Sequence, residues 1–149
     1  MTDPARRPLN PGGGPILRRT YGRLLAISVV TVLLVWAIAI SVLAISDGHA
    51  VLIALAYAVL AVASLCLLAA TARARAAIHD DVADLPGLRL SATLTRIASY
   101  AGWAGALPVV VTGIVQDAVL AGIVLAATAL ILGTAADGTH RITTRILTT

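Results

Sequence analysis

The chain is poor in charged and aromatic residues. Of its 149 residues, 12% are charged and 3% are aromatic, whereas 59% are hydrophobic, and the mean hydropathy is +0.95. A soluble domain averages about 25% charged residues, and a small one needs many polar groups to cover its surface. A disordered chain would have low hydrophobicity. The composition therefore excludes both classes and predicts an integral membrane protein.

Lysine, glutamate and phenylalanine are missing altogether, so all eleven basic residues are Arg and all seven acidic residues are Asp. Arg, Ala, Gly and Pro have GC-rich codons, whereas Lys and Phe have AT-rich ones, which predicts a bacterial genome of high GC content. The single cysteine, Cys66, lies in an apolar run and cannot form an intrachain disulfide. The basic residues flank apolar segments, so we expect no nucleic-acid partner.

Four segments lack formal charge over about the 20 residues that a helix needs to cross a bilayer. They are Leu24–Ser46, Ala50–Ala72, Ile97–Val115 and Ala118–Ala136. In hydrocarbon the backbone amides must be satisfied within each segment, so helices are expected. The predicted fold is an all-α integral membrane domain over residues 24–136, in which four transmembrane helices form two antiparallel hairpins.

The arginines predict the orientation of these spans. All eleven precede span 1, lie between spans 2 and 3, or follow span 4, whereas the two short turns on the other side carry Asp47 and Asp117. Because cytoplasmic loops collect Arg, both termini and the central loop are predicted to be cytoplasmic. The arrangement predicts a multi-pass protein of the bacterial plasma (inner) membrane, with the anionic lipids of the inner leaflet as partners.

Besides the two short turns, three longer segments lie outside the predicted spans. Residues 1–23 form a basic tail, residues 73–96 a loop and residues 137–149 a second tail. The first 15 residues contain four Pro and three consecutive Gly, which favours a flexible tail. The run Arg18–Arg23 is similar to a twin-arginine export signal. Since the apolar run after it is much longer than that of a signal peptide, we expect an uncleaved span.

Small residues recur at four-residue spacing in spans 3 and 4, where they allow helices to approach closely. The predicted packing residues are Gly102, Gly105, Ala118, Gly122, Ala126 and Gly133. They favour a tight hairpin of spans 3 and 4, with an oligomer interface as the alternative. Pro108 lies in mid-span and lacks the N–H that would bond the carbonyl of Ala104, so we expect a kink.

The middles of the spans carry no Asp, Glu, Lys, Arg or His. Buried carboxylates typically mark proton-coupled transport, and haem ligation across the bilayer would need a His within a span. Neither chemistry is predicted, and no cofactor is expected.

The central loop contains the letters DDxxD, with Asp80, Asp81 and Asp84. This motif resembles the one with which isoprenoid synthases hold Mg²⁺ against a diphosphate, a role for which oxygen ligands are suited. Here it occurs once and is followed by Leu85-Pro86-Gly87. We favour a solvated acidic stretch at the end of a cytoplasmic extension of span 2, with a Mg²⁺-dependent lipid or diphosphate enzyme as the alternative.

Arginines beside the spans are predicted to contact lipid headgroups or a partner subunit. They are Arg73, Arg75, Arg89, Arg96, Arg141 and Arg145. Apolar residues also recur at helical spacing before and into span 3, at Leu90, Leu94 and Ile97. This pattern predicts an amphipathic segment in the headgroup region before span 3.

These patterns favour a small tetraspan accessory or scaffolding subunit of a larger membrane complex, or a homo-oligomer, and not an enzyme. The alternative is a small oligomeric channel or permease with a path lined by Ser and Thr. The layout resembles the four-span accessory I protein of bacterial ATP synthase operons, with both termini inside and a basic central loop that enters span 3 at Arg96. This likeness of topology implies an accessory role.

Overall fold

Four long helices make up most of the chain. The computed structural model describes residues 5–45, 48–79 and 81–148. The helices are α1 (Gly13–Ile45), α2 (Ala50–Ala76), α3 (Leu85–Val115) and α4 (Val119–Thr148). Each is long and apolar enough to cross a membrane, so the prediction of four membrane-length helices is confirmed. The predicted Asp47 turn and the end of span 1 at Ser46 lie outside the described residues.

All four helices extend beyond the predicted spans on the arginine-bearing side. α1 begins eleven residues before Leu24, α3 begins twelve before Ile97, and α4 continues twelve past Ala136. The predicted spans ended where charges begin, but a charge that lies outside the hydrocarbon does not end a helix, and Arg, Ala and Leu all favour helix formation. The predicted loop 73–96 and tail 137–149 are therefore largely helical.

The segment before α1 and the segment between α2 and α3 form a small antiparallel sheet that the sequence analysis missed. Its strands are β1 (Arg6–Pro8), β2 (Ile78–His79) and β3 (Val82–Asp84), in the order β1-β3-β2. Arg7 pairs with Ala83 on one side of β3, and Ile78 pairs with Ala83 on the other. The expectation of a flexible N-terminal tail is thus wrong for residues 6–8 and from Gly13 onward, because β3 and the helices give this segment partners.

Two apolar clusters stabilise the molecule. The larger one, here called the span core, contains side chains from all four helices, among them Val35, Leu60, Ala98 and Leu132, all fully buried. The second, here called the end cluster, lies among the helix ends and the sheet. Its buried members are Tyr21, Ala74, Ala77, Ile78, Ala83 and Leu88.

Helices α3 and α4 run in opposite directions. Gly102 lies against Gly133, and Gly113, eleven residues further along α3, lies against Gly122 of α4. The turn between them is short because Asp117 adopts a left-handed conformation, with φ of 56°, which Asp tolerates better than most residues. The Gln116 side chain accepts a hydrogen bond from the Leu52 amide at 3.2 Å, which ties this turn to the start of α2.

Candidate functional site: the basic end of the bundle

The arginine-bearing segments meet at one end of the helix bundle, here called the basic end. The Arg7 guanidinium donates to the carbonyls of Ile146 and Leu147, each at 3.5 Å. The Tyr21 hydroxyl lies 3.0 Å from that of Thr143. These contacts join β1 and the start of α1 to the end of α4, so segments far apart in sequence form one surface.

The two described aspartates of the DDxxD motif bind backbone amides. One oxygen of Asp81 accepts hydrogen bonds from Gly12, at 3.1 Å, and Gly14, at 3.2 Å, at the start of α1. Asp84 caps α3 by accepting from the Gly87 amide at 3.1 Å. A carboxylate at the N-terminus of a helix is favoured by both the free amides and the helix dipole. These aspartates therefore fix where the two helices begin.

Of the three aspartates proposed as alternative Mg²⁺ ligands, Asp80 lies outside the described residues. Asp81 and Asp84 belong to the β2–β3 turn and to strand β3, not to the helical extension of α2 expected from the sequence. That extension ends at Ala76. Among the described residues, no three His, Cys, Asp or Glu side chains are grouped as a metal ion would require.

A groove in the surface of the basic end is lined by arginines of two helices. Its volume is about 350 Å³, and its lining residues are Gly14, Pro15, Arg18, Arg19, Gly22 and Arg75. A Cβ atom placed on Gly22 would lie 3.9 Å from Nε of Arg75, so the guanidinium of Arg75 rests against α1. Only Arg75 belonged to the predicted contact set. Arg18 and Arg19 were missed because their meeting with Arg75 depends on the packing of α1 on α2.

The other five predicted arginines are distributed around the basic end and are all exposed. Arg141 forms an ion pair of 2.7 Å with Asp137, one helical turn earlier. The guanidinium carbon of Arg96 lies 5.6 Å from the centre of the Tyr100 ring. Arg73, Arg89 and Arg145 complete the set. Contact of these side chains with lipid headgroups or a partner stays a prediction.

The amphipathic segment before span 3 is the first part of α3 and not a separate element. Its buried face carries Leu88, Ser91, Ala92 and Thr95, whereas Leu90 and Ile97 are nearly half exposed. Most side chains on the buried face are small, which lets this part of α3 pack closely on its neighbours. One of them, Ser91, donates a hydrogen bond from its hydroxyl to the Ala70 carbonyl of α2 at 2.8 Å. The segment therefore continues the helix through the basic end.

Buried threonines and a half-buried histidine near the basic end were not recognised as interacting residues from the sequence. On α4, the Thr143 hydroxyl donates to the Thr139 carbonyl at 3.0 Å. Nδ1 of His140 lies 3.0 Å from the Ala92 carbonyl oxygen and 3.2 Å from Oγ1 of Thr95. A carbonyl only accepts, so the bond to Ala92 requires a proton on Nδ1. The available signal was the four-residue spacing of hydroxyl-bearing residues, from Ser91 to Thr95 on α3 and from Thr139 to Thr143 on α4.

The predicted packing glycines lie between helices, but not all between the same pair. A Cβ on Gly102 would lie 2.6 Å from the Ala129 carbonyl oxygen, and one on Gly133 would lie 2.5 Å from Cδ1 of Trp103. Gly105 instead faces Val59 of α2. Gly122 meets Gly113, a residue that the sequence analysis did not single out.

The remaining predicted residues of the spans lie as follows. Ala126 is buried in the span core, and Ala118 packs partly buried against it. Pro108 lies inside α3, which continues through it, so the proline does not end the helix. Within the bundle, the Trp36 indole donates to Ser64 at 3.1 Å and stacks on Tyr57, with ring centres 5.4 Å apart.

No protein-family model, curated protein sequence or solved structure matches this chain. What the basic end offers chemically is anion binding, since guanidinium groups converge there while the nearby carboxylates cap helices.

Proposed function

We propose that this chain is a small multi-pass protein of the bacterial cytoplasmic membrane that acts as an accessory or scaffolding subunit, joined either to other membrane subunits or to copies of itself. The observation that carries the proposal is the filled axis of the bundle. Val35, Leu60, Leu67, Leu125 and Leu132 are at most 1% exposed and come from three of the four helices. Such an interior supports a structural role more than conduction through a single chain.

The hydroxyl groups within the spans also favour a structural role over a channel. Ser28, Ser64, Ser99 and Thr128 are buried inside one chain. A path formed between subunits would need free polar groups on an outer face, whereas the exposed Ser41 hydroxyl donates to the Ala37 carbonyl of its own helix at 2.8 Å. Thr128 further donates to the Leu125 carbonyl at 2.7 Å, so its hydroxyl serves its own helix.

Both termini and the basic end are proposed to face the cytoplasm, with the helices crossing as two hairpins. The support is the Arg distribution, because loops rich in Arg are retained on the cytoplasmic side. Cysteine labelling tests this orientation. In a Cys66→Ser background, His49→Cys should react with a membrane-impermeant maleimide added to intact spheroplasts, and Thr148→Cys should react only after permeabilisation. The reverse pattern would overturn the orientation.

The subunit role is tested by measuring mass. The protein is extracted in mild detergent, with crosslinking in the membrane before extraction, and the mass of the protein component is measured. We expect one reproducible species heavier than the 15.2 kDa protomer, either a fixed oligomer or a stoichiometric complex with a membrane protein. An unrelated four-span protein of similar size, treated identically, controls for crowding. A monomer under both conditions would contradict the proposal.

A further inference from the structure

The arginine groove places three positive charges close together, two from α1 and one from α2. Arg18, Arg19 and Arg75 line it together with Gly14, Pro15 and Gly22. Guanidinium groups present paired N–H donors that match the oxygens of a phosphate, which makes Arg a common choice for binding phosphate. The volume of about 350 Å³ is in the range of small-molecule sites.

The charge of these arginines is not neutralised within the part of the chain that the structure describes. Within residues 5–45, 48–79 and 81–148, the ion pair between Arg141 and Asp137 does not include any of the three groove arginines. The Asp81 carboxylate, which accepts from the amides of Gly12 and Gly14 beside the groove, supplies one negative charge against the three positive ones. The groove therefore keeps a net positive charge that favours an anion.

The position of the groove along α1 indicates an amphiphilic ligand. Arg18, Arg19 and Gly22 lie on one helical stripe, which continues at helical spacing through Ala26, Val30 and Leu33. Val30 and Leu33 are 63% and 64% exposed. The charged groove thus opens onto an exposed apolar strip that begins where the uncharged part of α1 begins.

We propose that this groove is a binding site for the phosphate group of an anionic phospholipid, whose acyl chains lie along the exposed strip of α1. Free phosphate shares the chemistry of the headgroup, but it would gain nothing from the apolar strip. The site rests on the membrane placement proposed above and not on the subunit role. It also differs from general attraction to the membrane surface, because it requires Arg18, Arg19 and Arg75 together.

Binding of single lipids to the purified full-length protein in detergent tests the proposal. Dioleoyl phosphatidylglycerol is titrated and bound lipids are counted by native mass spectrometry, with dioleoyl phosphatidylcholine and inorganic phosphate as separate arms. The test variant is R18Q/R19Q/R75Q. The matched control is R73Q/R89Q/R96Q, which removes the same charge outside the groove; the headgroups that these arginines are predicted to contact belong to the bilayer, which detergent replaces, and not to the lipid held in the groove.

We expect one tightly held phosphatidylglycerol per chain. Each arginine near an anionic lipid contributes about fivefold in affinity, so the test variant should lose about 100-fold, and the control less than about threefold. Phosphatidylcholine should bind at least about tenfold more weakly, as expected when the net charge of the headgroup is lost. If the triple variant does not fold, Arg75→Gln and Arg73→Gln, two residues apart on α2, make the same comparison.

Three results would overturn the proposal. Equal losses in the test and control variants would mean that a diffuse positive field holds the lipid. Equal binding of phosphatidylcholine would remove the requirement for a negative headgroup. If inorganic phosphate displaced the lipid when both were present at the same concentration, the groove would be a site for free phosphate and not for a lipid. None of these results depends on whether the protein has a partner subunit.

Discussion

The span core and the basic end are stabilised in different ways. In the span core, α3 and α4 approach so closely that Gly102 and Gly133 leave no room for a Cβ atom on either residue. At the basic end, the chain is held by hydrogen bonds between distant segments, such as that between Tyr21 and Thr143, and by aspartates that cap helices. Each region has an apolar cluster; close backbone contact distinguishes the first region, and polar contacts between distant segments distinguish the second.

This difference follows from the solvent proposed for each region. Between helices in lipid, hydrophobic burial provides little driving force, so packing of small residues stabilises the contact. At the basic end, water competes for polar groups, and a net gain of about 1 kcal/mol per hydrogen bond is typical. Substitutions in the span core should therefore act through shape, and those at the basic end through individual polar contacts.

The largest effect is expected from Gly102→Ala. The added methyl would lie 2.6 Å from the Ala129 carbonyl oxygen and 2.7 Å from the Gly133 backbone, and backbone atoms cannot move aside as a flexible side chain can. We expect a loss of about 3 kcal/mol in the free energy of unfolding, at the upper end of overpacking effects. The loss is measured by heating the protein in detergent and monitoring the folded fraction by size-exclusion chromatography.

Gly138→Ala is the matched control for this substitution. Gly138 also lies in a helix, but nothing lies within 4 Å of a Cβ placed there. Replacement of an exposed helical Gly by Ala stabilises by about 0.5–1 kcal/mol. Equal responses at the two positions would show that α3 and α4 are not in backbone contact, and the proposed contrast between the two regions would fail.

The next effect, at the basic end, is expected from Tyr21→Phe. Tyr21 is fully buried, and its hydroxyl bonds that of Thr143. Loss of one such bond costs about 1 kcal/mol, and the Thr143 hydroxyl keeps its bond to Thr139. Tyr100→Phe serves as the control, since Tyr100 is 56% exposed and the ring under Arg96 is retained. A change of similar size at both positions would contradict the role of the buried hydrogen bond.

A more local effect is expected from Asp81→Ala, which removes the acceptor for Gly12 and Gly14. A capping side chain contributes about 1 kcal/mol, which corresponds to about a fivefold change in the opening equilibrium. We expect amide hydrogen exchange in residues 12–16 to accelerate by about that factor. Asp81→Asn keeps an acceptor oxygen and should restore most of the protection. Failure of Asn to do so would assign the effect to charge instead of capping.

The parts of the fold that depend on local composition were predictable, and those that depend on meetings between segments were not. Absence of charge located the four apolar segments, because the cost of ionisable groups in hydrocarbon limits where they occur. The predicted spans end at the arginines, whereas the helices continue past them, since Arg favours helix. Strands of two and three residues are too short for an alternating pattern to be detected.

The candidate site shows the same division. Arg75 was identified because it follows an apolar run, whereas its position against Gly22 is set by how α2 packs on α1. Gly113 was missed, although it and Gly122 lie at similar distances on either side of the turn at Asp117, a spacing that antiparallel helices bring into contact. The capping role of Asp81 could not be foreseen, because its partners lie 67 residues or more away in sequence.

The smallest effect is expected from the ion pair between Asp137 and Arg141, and it tests where the proposed boundary between the two regions lies. With Arg141 72% exposed, a double-mutant cycle of Asp137→Asn and Arg141→Gln should give a coupling of about 0.3–0.5 kcal/mol, as for surface pairs on helices. One molar salt should abolish it. A coupling well above 1 kcal/mol that persists in salt would mean that this turn of α4 is shielded from water. The region stabilised by polar contacts would then begin beyond Arg141, closer to the end of the chain.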